Sequence, residues 1–116
     1  MLEQRIEQQF IDSADLKYQA AQVLAKPIAA AIQALLACVT SGGKVMVCGE
    51  GSSAALAQYF ASLFVGGFER ERPELAAIAL RHEGLGDPAY AGLARQVRAL
   101  GQAGDVLLLL TANGEE

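Results

Sequence analysis

The sequence predicts an α/β fold in which parallel strands alternate with helices. The first observation is a set of three apolar runs of strand length, Val45–Cys48, Ala76–Leu80 and Val106–Leu110. Segments with helical periodicity lie between these runs, which favours parallel pairing through right-handed crossovers. The runs are apolar throughout, as is typical of strands that are covered on both faces. We therefore expect a three-layer arrangement with helices on both sides of a parallel sheet.

Two helices are predicted before the first strand. Apolar residues recur at helical spacing from residue 2 to 24, and Pro27 is placed to begin a second helix that runs to about Thr40. Residues 1–43 are thus expected to form a helical pair, and residues 44–116 to carry the sheet. No later segment offers an obvious cover for the apolar stripe of the first helix, so we expect the pair to be the interface of a homo-oligomer.

The stretch from residue 44 to 64 has the pattern of a strand, a tight turn and a helix. Gly49 and Gly51 supply the turn, and Ser52 or Ser53 is placed to cap the helix. The start of a helix directs free backbone N–H groups and the positive end of its dipole into the turn, which suits a phosphate. The pattern fits either a phosphate site or a helix that is simply well capped, and it leaves both open.

Glycines and prolines mark the boundaries of the remaining elements. The sequence predicts a helix over about residues 53 to 65, a loop at residues 82 to 88 and a helix over Ala89–Leu100. The last strand would be a long hydrophobic edge if nothing covered it. Either the chain is the front part of a larger domain, or another chain covers that edge.

Bulk composition argues against several classes of function. The apolar fraction of 53% is enough for a core. The sequence contains no run of about 18 apolar residues, so no membrane-spanning helix is predicted. The net charge of −4 and the pI near 4.9 argue against direct nucleic-acid binding. Cys38 and Cys48 fit neither a disulfide framework nor a zinc pattern. The amino terminus lacks the hydrophobic region of a signal peptide, so we expect a cytoplasmic protein.

Three segments together resemble the sugar isomerase (SIS) domain family. CGEGSSAALAQYFAS resembles its first strand, turn and helix, FERERPELAAIAL the entry to its second strand, and QVRALGQAGDVLLLLTANG the helix and third strand before its phosphate loop. The resemblance covers essentially the whole chain. It implies a flavodoxin-like fold that binds a sugar phosphate as a dimer or tetramer. The family is usually longer, so the last two strands and the final helices are expected to be missing.

The resemblance also implies a phosphosugar-binding set of residues. Ser53 falls on the family's substrate-contacting serine, Thr111 on the first hydroxyl residue of the phosphate loop, and Gly114 on that loop's glycine. With the rest of the first turn, the expected set is Gly49, Gly51, Ser52, Ser53, Thr111 and Gly114. Neither a cofactor nor a metal ion is expected.

Catalytic positions depart from the pattern of the isomerase members. Phosphoheptose isomerases resembling this chain have a histidine and a glutamate four residues apart on the third helix, and Tyr59 and Leu63 stand at those positions. A leucine can neither ligate a metal ion nor transfer a proton. No catalytic residue is therefore assigned.

The phosphate-binding positions depart from the family as well. Glu50 replaces the usual asparagine of the turn, Glu115 and Glu116 replace hydroxyl donors of the phosphate loop, and His82 replaces an aspartate. A carboxylate a few ångströms from a phosphate dianion is repulsive by more than about 1 kcal/mol even in water. These changes weigh against tight binding of a sugar phosphate.

Three functions are compatible with this resemblance. Because the catalytic positions are changed, the main interpretation is a non-catalytic SIS-domain protein like the DnaA initiator-associating protein, with DnaA as its partner in replication initiation. The first alternative is a phosphoheptose isomerase that converts sedoheptulose 7-phosphate. The second is a protein that binds a sugar phosphate without chemistry.

Overall fold

The computed structural model describes residues 1–81 and 89–112. In chain order its elements are helix α1 (Leu2–Thr40), strand β1 (Val45–Gly49), helix α2 (Ser52–Gly66), strand β2 (Ala77–Ala79), helix α3 (Ala89–Leu100) and strand β3 (Val106–Leu110). The predicted alternation of strands and helices is confirmed. From β1 onward, each described helix or strand begins and ends within one residue of its predicted position. Before β1 the structure has one helix where two were predicted. The predicted loop at residues 82 to 88 lies outside the described residues.

Residues 2 to 40 form one continuous helix, so the prediction of a helical pair separated at Pro27 is wrong. Pro27 lacks the N–H that would bond the carbonyl four residues earlier, and a proline inside a helix costs about 3 kcal/mol. A break would have created two new helix ends, each with unsatisfied backbone groups. The Ala, Leu, Gln and Glu residues on both sides are strong helix formers, and the helix continues past the missing bond.

The chain divides into two compact units, Met1–Gln33 and Ala34–Glu116, with the boundary inside α1 rather than at the predicted residue 43. The first unit is a helix that carries exposed apolar side chains. Their four-residue spacing places them in a stripe along the helix, and they include Leu2, Ile6, Phe10, Leu24 and Ile28.

By length and composition, α1 is the one helix in the described part of the chain that could span a membrane. This differs from the expectation that no segment qualifies. The criterion is weak evidence, because core helices of soluble proteins meet it as well. Only the last turns of α1 are packed, since Leu35, Cys38 and Val39 lie in one apolar cluster with residues of β1, whereas the apolar window that meets the criterion is 6% buried.

The three strands form a parallel sheet in the order β2-β1-β3. Val45 of β1 pairs with Ala77 of β2 on one side and with Val106 of β3 on the other. This is the start of the flavodoxin-like order expected from the sequence. After β2 the chain must cross β1 to reach β3, so the direction of strand addition reverses at β1.

The core lies on both faces of the sheet, as expected for three layers. On one face, Val45 and Val47 pack with Ala57 of α2 and with the end of α1. On the opposite face, Met46 and Cys48 pack with Leu80 and with the apolar side of α3. β1 is buried along its whole length because it has a strand on each side and a helix on each face.

The expectation that all three strands are covered on both faces holds for β1 alone. In β2 and β3 half-buried and exposed residues alternate. Each of these strands borders β1 on one side only within the described sheet. Their burial pattern is therefore that of strands with one covered face.

A charged clamp joins the amino-terminal ends of β1 and β3. The Lys44 ammonium lies 2.6 Å from a carboxylate oxygen of Asp105, and the backbone N–H of Lys44 donates to the other oxygen at 2.9 Å. The backbone N–H of Gln102 also donates to Asp105. The Lys44 ammonium, followed by these two backbone donors, lowers the pKa of Asp105 from 3.8 to about 2. The clamp holds the two strands in register at the edge opposite the carboxyl ends.

We expect Asp105→Asn to lower the thermal unfolding midpoint at pH 7 and to flatten its dependence on pH below 4. The folded-state pKa of Asp105 is depressed, so its contribution to stability is present above about pH 4 and is lost as the pH falls through about 2. Thermal unfolding of both proteins between pH 7 and 2 measures this. Glu71→Gln removes a charge from an exposed segment and serves as the control. Parallel pH profiles for Asp105→Asn and the wild type would contradict the prediction.

Candidate functional site

The turn after β1 has the geometry of a type II′ β-turn. The N–H of Ser53 donates to the carbonyl of Glu50 at 2.9 Å, and Gly51 between them has φ 57° and ψ −127°. This positive φ at the first central position is the requirement of that turn type, and glycine meets it without steric cost. Gly51 is therefore needed for the change of direction between β1 and α2.

Neither serine caps α2, so the sequence-based assignment of the cap is wrong. Gly51 is the N-cap residue, and no side-chain capping hydrogen bond is present there. The turn itself satisfies the helix start, because Ser53 and Ala54 donate to the backbone carbonyls of Glu50 and Gly51. Two N–H groups that were expected to face an anion are consequently already bonded.

Gly49 lies where β1, α2 and β3 approach one another most closely. A Cβ atom on Gly49 would lie 2.7 Å from the carbonyl oxygen of Ser53 and 2.8 Å from that of Leu110. Both neighbours are backbone atoms that cannot rotate away. Only glycine allows α2 to start this close to the ends of both strands.

A pocket of about 100 Å³ opens beside this junction, at the carboxyl ends of β1 and β3. It is lined by Cys48, Gly49, Glu50, Leu93, Leu109, Leu110 and Thr111. The strand order reverses at β1, with α2 on one face of the sheet and α3 on the other. In open α/β sheets, ligands bind in the crevice at such a reversal of strand order. The pocket is therefore the candidate binding site.

The lining of the pocket is mainly apolar and carries one acidic side chain. Glu50 is half-buried at the rim and Thr111 is exposed. None of the described lining residues is cationic. Burial raises the pKa of the Cys48 thiol, so it stays protonated at neutral pH and is a poor nucleophile. The described lining can bind and orient a ligand, but it offers no activated nucleophile.

Helix α3 forms one wall of the pocket and is fastened to the end of β2. The Gln96 amide nitrogen donates to the carbonyl of Arg81, and its amide oxygen accepts from the Arg81 N–H at 3.4 Å. This pairing holds α3 against the carboxyl edge of the sheet. Leu93, one turn earlier on α3, then reaches the pocket.

The structure brings together some of the predicted site residues and separates others. Gly49 and Thr111 line the pocket together. Gly51 and Ser52 are exposed in the turn beside it, and Ser53 is only 3% exposed. Ser53 is thus placed beneath the turn rather than at the pocket wall. The remaining predicted residue, Gly114, lies outside the described residues.

The positions that depart from the family pattern can be located in part. Tyr59 on α2 is 60% exposed, and the half-buried Leu63 lies one turn further along. The Leu63 carbonyl accepts from the Arg72 guanidinium at 2.6 Å, so this position helps to anchor the segment before β2. His82, Glu115 and Glu116 lie outside the described residues.

The described residues 1–81 and 89–112 contain no group of three or more His, Cys, Asp or Glu side chains that could hold a metal ion. The expectation of no metal ion and no cofactor stays a prediction, because residues outside these ranges are not covered by that observation.

The apolar wall of the pocket was not predicted from the sequence. Leu93, Leu109 and Leu110 were assigned to helix and strand but not to a site. Leu110 could have been predicted as a site residue, because it lies at the carboxyl end of a parallel strand and such ends meet at one edge of a sheet. Leu93 carried no such signal, since its place depends on where α3 crosses the sheet.

Comparisons with known proteins agree with this architecture. The SIS domain family matches residues 9–116. The phosphoheptose isomerase of Methylibium petroleiphilum is 60% identical over 121 residues, which cover 98% of this chain and 60% of that protein. The phosphoheptose isomerase of Aromatoleum aromaticum is 44% identical over 117 residues, with corresponding shares of 95% and 59%.

Solved structures give the same result. A phosphoheptose isomerase from Neisseria gonorrhoeae superposes with a TM-score of 0.80 at 36% identity, and one from Francisella tularensis with 0.75 at 40% identity. Each match covers 94% of this chain, against 60% and 61% of the solved chains. The chain therefore spans about 60% of the length of these relatives, and the prediction that it is shorter than its family is confirmed.

These names correct the main functional interpretation. The main interpretation is a non-catalytic protein like the DnaA initiator-associating protein, but the relatives reported above are named phosphoheptose isomerases, which fits the first alternative better. That interpretation depends in part on the replaced residues at the catalytic positions, and such replacements do not identify the relatives of a chain. Since the family matches residues 9–116 and one member is 60% identical across nearly the whole chain, this chain belongs to the SIS domain family.

Proposed function

We propose that this chain forms the sugar-phosphate crevice of a protein of the phosphoheptose isomerase type. The observation that carries the proposal is the pocket at the carboxyl ends of β1 and β3, in a chain that is 60% identical to a phosphoheptose isomerase. A heptose phosphate is the ligand class that the names of the relatives suggest. Because this chain spans about 60% of their length, the activity of a whole protein is part of the proposal.

The size of the pocket supports a contribution to a larger site. A volume of about 100 Å³ is below the roughly 300–1,000 Å³ typical of sites that enclose a small molecule. Gly49 lies at the floor of the pocket and Thr111 at its exposed rim. The described residues would thus contact one end of a phosphorylated sugar.

Binding without isomerisation is a second candidate. The observation that favours it is Leu63, which replaces the glutamate expected from the family resemblance with a side chain that cannot transfer a proton. Tyr59, four residues before Leu63, stands where the same resemblance expects a histidine. The two candidates share a ligand and differ in turnover.

One experiment separates the candidates. Calorimetric titration with sedoheptulose 7-phosphate, with inorganic phosphate as the reference, tests for the crevice, and a coupled assay on the same preparation tests for turnover. Binding with turnover supports the isomerase. Binding without turnover supports the second candidate. No heat and no thermal stabilisation at millimolar sugar phosphate would overturn both.

We expect Glu50→Gln to tighten the binding of sedoheptulose 7-phosphate about fivefold to tenfold. Glu50 is the acidic residue of the described pocket lining, and its repulsion of a phosphate dianion is worth about 1 kcal/mol. Titration at low and high salt measures the effect, which should shrink as salt screens the charge. Glu74→Gln, on an exposed segment, changes the net charge equally and should leave the affinity unchanged. Equal affinities of wild type and Glu50→Gln would place the phosphate away from the turn.

A homo-oligomer in the cytoplasm is part of the proposal. The exposed apolar stripe along the first unit supports it, and its Ala20, Ala21 and Ala25 lie beside Leu24 in a shallow groove that a second helix could enter. Small residues allow close approach of helices. Sedimentation equilibrium at micromolar concentration tests this assembly, and a monomer at all concentrations would contradict it.

A further inference from the structure

The side-chain amide of Gln96 joins helix α3 to the end of β2. Its Nε2 donates to the backbone carbonyl of Arg81 and, at 3.3 Å, to that of Gly92, and its Oε1 accepts from the Arg81 N–H at 3.4 Å. Gly92 lies one turn earlier on α3, so its carbonyl holds the amide in place on its own helix. Both donors of the amide are engaged, and Gln96 presents a donor and an acceptor to Arg81 in a fixed orientation.

This pairing lies where the chain leaves the sheet. The ladder between β1 and β2 continues to Leu80, whose N–H donates to the Val47 carbonyl at 2.7 Å. One residue later, the backbone of Arg81 bonds to Gln96. The end of β2 is therefore bonded to β1 and to α3 by consecutive residues, and α3 is tied to the edge of the sheet at which the pocket opens.

Apolar packing alone does not define the position of α3 along the sheet. Leu93 and Val97 pack against buried residues of β1, but such packing is non-directional. Hydrogen bonds weaken steeply as they depart from their preferred geometry, and two of them to one residue restrict both the distance and the rotation of the helix. The pairing with Arg81 thus selects one of the positions that the apolar contacts allow.

Leu93 links this pairing to the pocket. It lies three residues before Gln96 on α3, and residues at that spacing are neighbours on a helix surface. Leu93 lines the pocket together with Cys48, which is 2% exposed. We propose that Gln96 is a positioning residue of the sugar-phosphate crevice, which acts through Leu93 to fix the width of the pocket. The proposal rests on the proposed function for the identity of the ligand, but not for the effect on the pocket.

The first measurement needs no ligand. Gln96→Met keeps the length and the helix preference of the side chain and removes its donors and acceptor. Cys48 and Cys38 lie in clusters on opposite faces of the sheet, so the labelling of the two thiols by N-ethylmaleimide can be compared within one chain. We expect Gln96→Met to speed labelling of Cys48 about tenfold, because each of the two lost bonds to Arg81 contributes a factor of about three, and to leave Cys38 unchanged. Equal rates at Cys48 in both proteins overturn the proposal, and so does an equal rise at both thiols, which would report general unfolding.

The second measurement is a titration with sedoheptulose 7-phosphate at pH 7. We expect Gln96→Met to bind about tenfold more weakly than the wild type, through the same two hydrogen bonds. Asp105→Asn weakens the clamp at the opposite edge of the sheet, so it loses stability without touching the pocket and should bind like the wild type. Wild-type affinity of Gln96→Met overturns the proposal. If the wild type itself binds no sugar phosphate, the proposed function fails, and the labelling of Cys48 still decides the role of Gln96.

Gln96→Glu supplies a rescue that a change in stability alone does not produce. At pH 7 its carboxylate presents acceptors to both backbone carbonyls and should bind the ligand at least as weakly as Gln96→Met does. Near pH 4 a glutamate becomes protonated and can again donate to the Arg81 carbonyl, so its affinity relative to the wild type should recover while that of Gln96→Met stays low. Arg81, Arg95 and Arg98 are cationic throughout this range, and the effects of Glu50 and of the phosphate are common to all three proteins. Parallel profiles for the two variants overturn the proposal.

Discussion

Replacing Gly49 by alanine is expected to lower the free energy of unfolding by about 3 kcal/mol. The new Cβ atom would lie 2.7 Å from the Ser53 carbonyl oxygen and 2.8 Å from the Leu110 carbonyl oxygen. Neither contact can be relieved by a side-chain rotation, because both partners are backbone. Relief requires α2 or β3 to move away from β1, and either movement opens the junction that forms the pocket floor.

Gly66→Ala is the matched control for this prediction. Gly66 ends α2, and a Cβ atom there would meet nothing within 4 Å. Alanine at that position restricts the unfolded chain more than the folded one, so the variant should be as stable as the wild type or more stable by up to about 1 kcal/mol. Urea unfolding of the three proteins measures the difference. If Gly49→Ala cost no more than Gly66→Ala, the close approach of the three elements would be wrong.

The strands and the two later helices could be predicted because their signals are local and agree with one another. The bounds of α3 and β3 were predicted without error, since glycines separate a strongly periodic segment from an unbroken apolar run. Pro27 shows the limit of such rules. By local rules a proline at this position predicts the start of a helix. A break there would leave the backbone groups of two additional helix ends unsatisfied, and the flanking residues are strong helix formers, so the helix continues through Pro27.

The site was less predictable because it depends on which elements meet. The turn glycines were identified, but the cap was assigned to a serine. In the structure the backbone carbonyl of Glu50, positioned by the type II′ turn, accepts the hydrogen bond from the helix start, and residue types alone do not predict this. Leu93 and Leu109 became site residues only once the crossing of α3 and the order of the strands were known. The substitutions at Tyr59 and Leu63 bear on catalysis, and they could not decide which relatives the chain has.

Met46→Ala is expected to lower the free energy of unfolding by about 2–5 kcal/mol, the usual range for truncating a buried methionine. Met46 is buried in the central strand and belongs to the cluster that joins the sheet to α3, with Cys48, Leu80, Leu93 and Val97. A cavity there removes much of the apolar contact that holds α3. Because α3 carries Leu93 into the pocket, the affinity for sugar phosphate should fall together with stability.

Two controls separate burial from side-chain identity in this prediction. Met46→Leu keeps the volume and should cost less than about 1.5 kcal/mol. Ile78→Ala truncates the register partner of Met46 on the same face, but Ile78 is 41% exposed against 3% for Met46, so its loss should be smaller. Amide hydrogen exchange of α3 supplies the second readout, because the alanine variant should exchange faster there than Met46→Leu does. If Met46→Ala and Ile78→Ala cost the same, α3 would not be held through this cluster, and the pocket wall would have to be stabilised by the pairing of Gln96 with Arg81 instead.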